Sequence, residues 1–201
     1  MLLNKLEFAL MHNPIRHFLQ SALEIKNFTR LVSLPAGATV LEIGCGDGHG
    51  TKLIEKHFKP AKIYAIDLDS KMIALAKKGS NSAAVSFEVG DASKLQYSDN
   101  SFDAIFDFGI IHHIPNWKDC ILELKRVLKP NGVILIEDLS IETFKNSVGI
   151  IFKKVLSHPY NHMYKREEFF KYAEEVGLKI QSKEVHNPLG LLQYFVVIAR
   201  K

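Results

Sequence analysis

The chain has 201 residues and a formal net charge of +4, with 47% hydrophobic and 24% charged residues. This length predicts one domain with a sizeable core, and the composition is that of a soluble globular protein. No apolar run approaches the roughly 20 residues that span a bilayer, which excludes a membrane-spanning protein. The charge is mild, so it neither requires nor excludes an anionic partner.

The cysteines and the first residues indicate where the protein works. Cys45 and Cys120 lie far apart in different predicted elements, which excludes a disulfide framework and a cysteine-based zinc site. Residues 1–13 include Lys5 and Glu7 and have no small-residue cleavage site, so they do not predict a signal peptide. A cytoplasmic location, where thiols stay reduced, fits both features.

Residues 1–34 are predicted to form two helices that are broken at Asn13–Pro14. Apolar residues recur at helical spacing in both helices, from Leu3 to Leu10 and from Ile15 to Ile25. We expect this segment to form a helical lid over the active site. Extra packing against the core is the alternative, because the periodicity alone fits both roles.

Short apolar runs then alternate with helical patterns. The predicted strands are Thr39–Ile43, Lys62–Asp67, Val85–Val89, Ala104–Phe108, Val133–Glu137, Lys179–Val185 and Gln193–Arg200. The predicted helices are Thr51–Phe58, Ser70–Lys78, Trp117–Leu128 and Arg166–Val176. Ser70 is the predicted cap of its helix, and Lys129–Gly132 is a predicted turn. This alternation predicts an α/β, Rossmann-like fold with a seven-stranded, mostly parallel sheet and helices on both faces. The last two strands are joined by a link too short for a crossover helix, so they should be antiparallel neighbours.

The first predicted strand stops at a run of glycines that is followed by a helical pattern. The glycines are Gly44, Gly46, Gly48 and Gly50. Glycine permits positive φ and a close approach of a ligand, and the start of the next helix offers free N–H groups. Strand, glycine turn and helix together open a nucleotide-binding unit.

The spacing of this loop disfavours a dinucleotide. The dinucleotide pattern G-x-G-x-x-G requires a third glycine at the position of His49. Asp47 lies at the start of the predicted helix, where it can cap free N–H groups and would repel a pyrophosphate. A cofactor without phosphate therefore fits better.

The motif Glu42-x-Gly44-x-Gly46-x-Gly48 resembles motif I of class I S-adenosylmethionine-dependent methyltransferases. Later motifs follow in the order of that family, at Asp67, Gly90–Ala92, Ser101–Asp103, Ile111–Ile114 and Leu128–Val133. The late motifs resemble the small-molecule branch, which includes quinone-biosynthesis methyltransferases. The resemblance implies S-adenosyl-L-methionine as cofactor, S-adenosyl-L-homocysteine as product and a small-molecule acceptor.

The same resemblance implies a set of cofactor-binding residues. They are Glu42, Gly44, Cys45, Gly46, Gly48, Asp67, Leu68, Met72, Asp91, Ala92 and Phe108. In the family, the acid at Asp67 binds the ribose, Asp91 with the Ala92 N–H reads adenine, and Glu42 lies near the methionine amino group. Ordinary roles remain open as well, namely loop acids for Asp67 and Asp91 and core packing for Leu68 and Met72.

Methyl transfer is an in-line displacement that depends on orientation, and it needs a base only if the acceptor keeps a proton. His112, after the fourth strand, is the candidate to touch the acceptor or the methionine end, with a structural role as the alternative. Residues 139–165 are expected to shape the acceptor pocket. That insertion contains His158, Tyr160, His162 and Tyr164. No metal site is predicted, because His158 and His162 lack a third evident ligand.

Three other functions compete with this interpretation. One is a non-catalytic S-adenosylmethionine-binding module that works through a partner. A second is an NAD-dependent oxidoreductase, which Asp47 and His49 disfavour. The third is RNA methylation, which has thin support because basic residues such as Lys153 and Lys154 usually form a solvated face. A nucleic-acid partner is therefore not expected, and no motif predicts an oligomeric state.

Overall fold

The structure is a computed structural model that describes residues 25–145, 147–155, 158–188 and 193–201. Most of the lid predicted for residues 1–34 therefore lies outside the described residues. Within these ranges, no helix has both the length and the apolar character needed to cross a membrane.

The described part of the chain contains seven strands and six α-helices. The strands are β1 Thr39–Ile43, β2 Lys62–Asp67, β3 Val85–Val89, β4 Phe102–Phe108, β5 Leu128–Asp138, β6 Lys179–His186 and β7 Tyr194–Arg200. The helices are α1 Ile25–Leu31, α2 His49–Phe58, α3 Ser70–Lys78, α4 Trp117–Val127, α5 Ser147–Val155 and α6 Arg166–Glu175. Short 3-10 turns at Ile111–His113 and Ile141–Lys145 follow β4 and β5.

All seven strands form one sheet in the order β3-β2-β1-β4-β5-β7-β6. The pairs β1–β2, β2–β3, β1–β4 and β4–β5 are parallel. Strand β7 is antiparallel to both β5 and β6, so the predicted mostly parallel, Rossmann-like sheet is confirmed. The strand order changes direction between β1 and β4, and open α/β sheets bind ligands at the carboxyl edge of such a point.

Helices cover both faces of the sheet, as predicted. Helices α1, α2 and α3 bury apolar side chains on the face that includes Val40 and Phe106. Helices α4 and α6 pack on the other face, which includes Leu41 and Ile105. Successive strand residues point to opposite faces, so burial on both sides explains why these strands are apolar almost throughout.

One local expectation is wrong. The cap of α3 is Asp69 and not Ser70, because the Asp69 carboxylate accepts a first-turn N–H at 2.8 Å. A carboxylate caps well because the positive end of the helix dipole also stabilises it. The turn expected at Lys129–Gly132 lies within the bounds of β5 and interrupts its pairing with β4, which passes from Phe102–Leu128 directly to Ala104–Val133. Asn131 in this turn has a φ of 62°, and the Lys201 N–H donates to the Gly132 carbonyl at 3.3 Å.

Helix α1 is held in the core. The ring of Phe28 is fully buried and lies 5.3 Å from the ring of Phe108 and 6.0 Å from that of Phe106, between centroids. The Asn27 side-chain amide donates to Glu137 Oε2 at 3.1 Å, which connects α1 to the end of β5. This part of the N-terminal segment therefore packs as core, which was the alternative to a lid.

Phe106→Ala should lower the free energy of unfolding by about 3–5 kcal/mol, because it opens a cavity in the middle of the sheet. The Phe106 ring is fully buried and contacts the rings of Phe28 and Phe58. Urea denaturation followed by circular dichroism measures the change. Leu122→Ala is the control, since Leu122 is 45% exposed and its loss should cost less than about 0.5 kcal/mol. Equal losses in the two variants would contradict this view of the core.

Candidate functional site

Each of the five parallel strands carries an acidic residue at or next to its carboxyl end. These residues are Glu42 in β1, Asp67 in β2, Asp91 after β3, Asp107 in β4 and Asp138 in β5. Glu42, Asp107 and Asp138 are almost completely buried. Because buried acids are costly unless compensated, this edge of the sheet favours a cationic ligand and disfavours phosphate.

The loop after β1 has its glycines in left-handed conformations, with φ of 65° at Gly44, 54° at Gly46 and 85° at Gly48. Glycine adopts such angles without steric cost. A Cβ on Gly44 would lie 2.4 Å from the Ile110 side chain, so close packing also requires glycine there. A Cβ on Gly46 would meet nothing within 4 Å. The loop therefore leaves open space beside Gly46, which suits the predicted cofactor contact.

The Asp67 carboxylate is fixed by two backbone hydrogen bonds. Its Oδ2 accepts from Gly46 N–H at 2.9 Å, and its Oδ1 accepts from Asp69 N–H at 2.8 Å. Burial raises the pKa of Asp67 above its ordinary value, while these two hydrogen bonds oppose the shift. A carboxylate oxygen can accept more than one hydrogen bond. Asp67 can therefore bind the glycine loop and two neighbouring ligand hydroxyls at once.

Glu42 forms a buried pair with Thr51 of α2, whose hydroxyl donates to Glu42 Oε2. Desolvation raises the pKa of Glu42 to about 8, although the hydrogen bond from Thr51 opposes the shift. Glu42 is therefore largely protonated at neutral pH. A ligand cation beside this carboxyl would favour its ionised form.

The residues predicted to surround the adenosine differ in exposure. Leu68 is 45% exposed, whereas Met72 and Ala92 are buried. Asp91 is exposed, and its Oδ1 accepts hydrogen bonds from the Ser93 N–H at 2.8 Å and the Ser93 hydroxyl at 2.7 Å. Asp91 thus has the geometry of a turn acid, and its carboxylate keeps further acceptor capacity for a ligand.

Cys45 and Phe108 are packing residues. Burial raises the pKa of the Cys45 thiol above its ordinary value, so the thiol is not an activated nucleophile. The Cys45 N–H donates to the Ile66 carbonyl at 2.9 Å, which fixes the loop against β2. The Phe108 ring packs against Phe28 in the core.

A buried hydrogen-bond network beyond β4 and β5 centres on the Asp138 carboxylate. Its Oδ1 accepts from His112 Nδ1 and from the Leu139 N–H at 2.7 Å. Its Oδ2 accepts from the His112 N–H at 3.0 Å and from the Tyr164 hydroxyl at 2.7 Å. Because Nδ1 and the backbone N–H of His112 both bond the Asp138 carboxylate, the ring is held in one orientation, with Nε2 directed away from Asp138.

The insertion brings aromatic rings to His112. The His158 ring lies 5.1 Å from the His112 ring and 4.3 Å from the His113 ring, between centroids. Tyr160 stacks on His158 at 5.5 Å, and Phe144 contacts both rings edge-on. This half-buried cluster therefore lies beside His112, at the carboxyl end of β4.

Two further ring residues of the insertion, His162 and Tyr164, do not join this cluster. His162 is exposed. Tyr164 is 1% exposed, and burial together with Asp138 raises its pKa well above the ordinary value. Tyr164 is therefore a structural donor to Asp138 and not a base that faces the acceptor.

Sequence reasoning missed Asp138 and Thr51. Strands β4 and β5 are parallel neighbours in which Phe108 pairs with Glu137. Because the two strands end side by side, the acid at the end of β5 lies beside the histidine that follows β4. The parallel pairing of β4 and β5 could therefore have predicted the contact between Asp138 and His112. Thr51 had no such signal, because its contact with Glu42 depends on how α2 folds back on β1.

Glu42→Gln should stabilise the protein at high pH. The folded pKa of Glu42 is about 8, and the unfolded value is about 4.3, so its contribution to stability is complete below about pH 4 and is lost as pH rises towards 8. The variant should gain roughly 2–4 kcal/mol in the free energy of unfolding at pH 8 and little at pH 4.5. Urea unfolding across this range measures the gain. Glu174→Gln, at an exposed site on α6, should show no such pH-dependent gain, and a flat profile for both variants would contradict the prediction.

Comparison with known proteins shows which proteins this chain resembles. Residues 41–136 match the family described as a methyltransferase domain. A fatty-acid O-methyltransferase of Mycolicibacterium smegmatis is 36% identical over 102 residues, which are 51% of this chain and 37% of that protein. Phosphoethanolamine N-methyltransferase 2 of Caenorhabditis elegans is 33% identical over 115 residues, which are 56% of this chain and 26% of that protein. The chain therefore matches only about a quarter to a third of the length of these relatives.

A solved structure has the same fold. A SAM-dependent methyltransferase from Aquifex aeolicus superposes with a TM-score of 0.75 over 98% of both chains, at 23% sequence identity. The segment that matches the family model, residues 41–136, runs from β1 into β5 and holds the glycine loop and four of the acids described above. Over this segment, the chain is similar to the methyltransferase-domain family.

Proposed function

We propose that the protein transfers a methyl group from S-adenosylmethionine to a small-molecule acceptor. The row of acids along the carboxyl edge carries this proposal, because S-adenosylmethionine has a sulfonium, an ammonium and no phosphate. When bound, it supplies an electrophilic methyl group. The open space beside Gly46 suits the close approach of such a ligand.

The same features disfavour an NAD-dependent oxidoreductase. The pyrophosphate of NAD would dock at the start of α2, where Asp47 Oδ1 already accepts the His49 N–H at 3.2 Å. Placing two phosphates beside this carboxylate and the buried acids would be electrostatically unfavourable.

We assign the donor side of the site to the predicted residues at the ends of β1, β2 and β3. Asp67, fixed by Gly46 and Asp69, accepts the ribose hydroxyls. Asp91 and the backbone after it read the adenine edge. Glu42 and the loop at Gly44 hold the methionine end, where the ammonium would ionise the Glu42 carboxyl.

We assign the acceptor side to His112 and the insertion 139–165. The hydrogen bonds from His112 to Asp138 leave Nε2 as the polar atom that the ring can present to an acceptor. Holding an acceptor atom in line with the methyl group can lower the barrier by about 7–11 kcal/mol. His158 and Tyr160 add ring surface on this side.

The names of the relatives support an organic acceptor with an oxygen or nitrogen nucleophile. One relative is a fatty-acid O-methyltransferase, and another is a phosphoethanolamine N-methyltransferase. Both acceptors are small molecules, which agrees with the small-molecule branch that the sequence resembles and does not favour RNA.

S-adenosylhomocysteine at about 100 times its dissociation constant should raise the melting temperature by roughly 5–10 °C. Asp67→Ala should abolish this shift, because it removes the ribose acceptor and releases the Gly46 N–H. Asp69→Ala is the matched control, since it removes a neighbouring charge and the α3 cap but should keep the ligand-induced shift. Differential scanning fluorimetry measures all three proteins. A wild-type protein that NAD stabilises and S-adenosyl compounds do not would contradict the proposal.

The protein should convert S-adenosylmethionine to S-adenosylhomocysteine in the presence of one class of acceptor. The panel to be tested contains fatty acids, phosphoethanolamine, phenols and amines. His112→Asn should lower this turnover by about 100-fold or more, because the acceptor loses its oriented contact. The same variant should retain the ligand-induced melting shift. His162→Asn, at an exposed site of the insertion, should behave as wild type. Cofactor binding without turnover for any acceptor would favour the non-catalytic module instead.

A further inference from the structure

Three histidines meet beyond the ends of β4 and β5. One ring nitrogen of each of His112, His113 and His158 lies within 4.8 Å of the other two. The ring centroids are 4.1 Å apart for His112–His113, 4.3 Å for His113–His158 and 5.1 Å for His112–His158. Within the described ranges, this is the group of histidine, cysteine and acidic side chains close enough together to hold a metal ion.

The surroundings of His112 are those of a metal ligand. Its Nδ1 is bonded to Asp138, and its backbone N–H bonds the same carboxylate at 3.0 Å. Ligating histidines usually donate their second ring N–H to a carboxylate, which fixes the tautomer and makes the other nitrogen more basic. Asp138 provides that support here, and Tyr164 in turn holds Asp138 through a 2.7 Å hydrogen bond.

We propose that His112, His113 and His158 bind one divalent transition-metal ion, with Zn²⁺ as the first candidate. Imidazole nitrogens suit zinc and its neighbours in the first transition row. Three protein ligands leave a fourth position open, as in catalytic zinc sites. The proposal rests on the proposed function in one respect, namely that the oxygen of an acceptor hydroxyl takes this fourth position.

The three histidines lie close enough for a tetrahedral site to form after a movement of their rings. Zinc–nitrogen bonds of about 2.0–2.1 Å place ligand nitrogens about 3.3 Å apart, so the three nitrogens must close in by up to about 1.5 Å. His112 is fixed by Asp138, and His113 is buried, at 5% exposure. His158 is half-buried, so its ring is the one that moves to complete the site.

Such an ion would change how the acceptor is activated. A bound hydroxyl would lose its proton to solvent more readily, because the ion stabilises the negative charge left on oxygen. A lone pair of that oxygen would then form the bond to the methyl carbon, and the methyl–sulfur bond would break with its electrons on sulfur. His112 thereby positions the acceptor through the ion and needs no proton of its own.

Tag-free protein, stripped with a chelator and titrated with Zn²⁺ by calorimetry, tests this site. We expect one ion per chain, and Co²⁺ in its place should give the visible absorption of a tetrahedral site. His158→Ala removes one ligand and should weaken binding by at least about 100-fold, since loss of even a supporting partner costs about 10–100-fold. His162→Ala removes an exposed histidine from the same segment and should bind the ion as wild type does.

The outcomes separate this site from the proposed function. No bound ion in the wild-type protein, or equal affinity in wild type and His158→Ala, overturns the metal site. The melting shift with S-adenosylhomocysteine, measured on the same samples, reports folding and the cofactor site independently of the metal. A normal shift together with failed metal binding therefore overturns the metal site alone, while the absence of any shift overturns the proposed function.

Discussion

The buried carboxylate of Asp138 holds together three parts of the chain that are distant in sequence. It ends β5, and it accepts hydrogen bonds from the turn after β4 and from Tyr164, just before α6. Hydrogen bonds to a charged group contribute about 1.5–3 kcal/mol each. Several of them are needed to offset the cost of burying a carboxylate completely. The position of His112 is therefore a consequence of this one group.

The carboxyl edge of the sheet has two sides that differ in physical character. On the donor side, backbone N–H groups and glycines fix Asp67 and leave space beside Gly46. On the acceptor side, side-chain rings from the turn after β4 and from the insertion surround His112. A site formed by the backbone suits a cofactor that is always the same molecule. A site formed by side chains can change by substitution to fit different acceptors without disturbing the sheet.

The sheet and the glycine loop after β1 were predictable from the sequence because their signals are local. Strands buried on both faces are continuous apolar runs, and the φ angles after β1 require glycine. The cap of α3 was misplaced by one residue, because Asp69 and Ser70 are both good caps and only the backbone geometry separates them. The start of β5 was misjudged because its pairing with the chain end is a tertiary contact.

The histidine cluster was predictable only in part. The sequence pointed to His112 and to the insertion, but not to the contact of His112 with His158, which are 46 residues apart along the chain. Nothing local marks that contact, since it depends on where the chain returns after α5. Asp138 was overlooked for a similar reason, because an acid at the end of a strand is ordinary until its neighbour in the sheet is known.

The contact between Gly44 and Ile110 has a consequence for how this protein can change. The Ile110 side chain packs on the glycine where a Cβ would collide, the Ile110 N–H donates to Asp107 Oδ1 at 2.9 Å, and the Ile110 carbonyl accepts the His113 N–H at 2.9 Å. The glycine loop and the turn that carries the histidines thus share one van der Waals boundary. Gly44 cannot be replaced without rearrangement, because its φ is positive and the Ile110 side chain fills the space of a Cβ. Under the proposed assignment, this boundary sets the spacing between methyl donor and acceptor, whereas the insertion can vary to admit other acceptors.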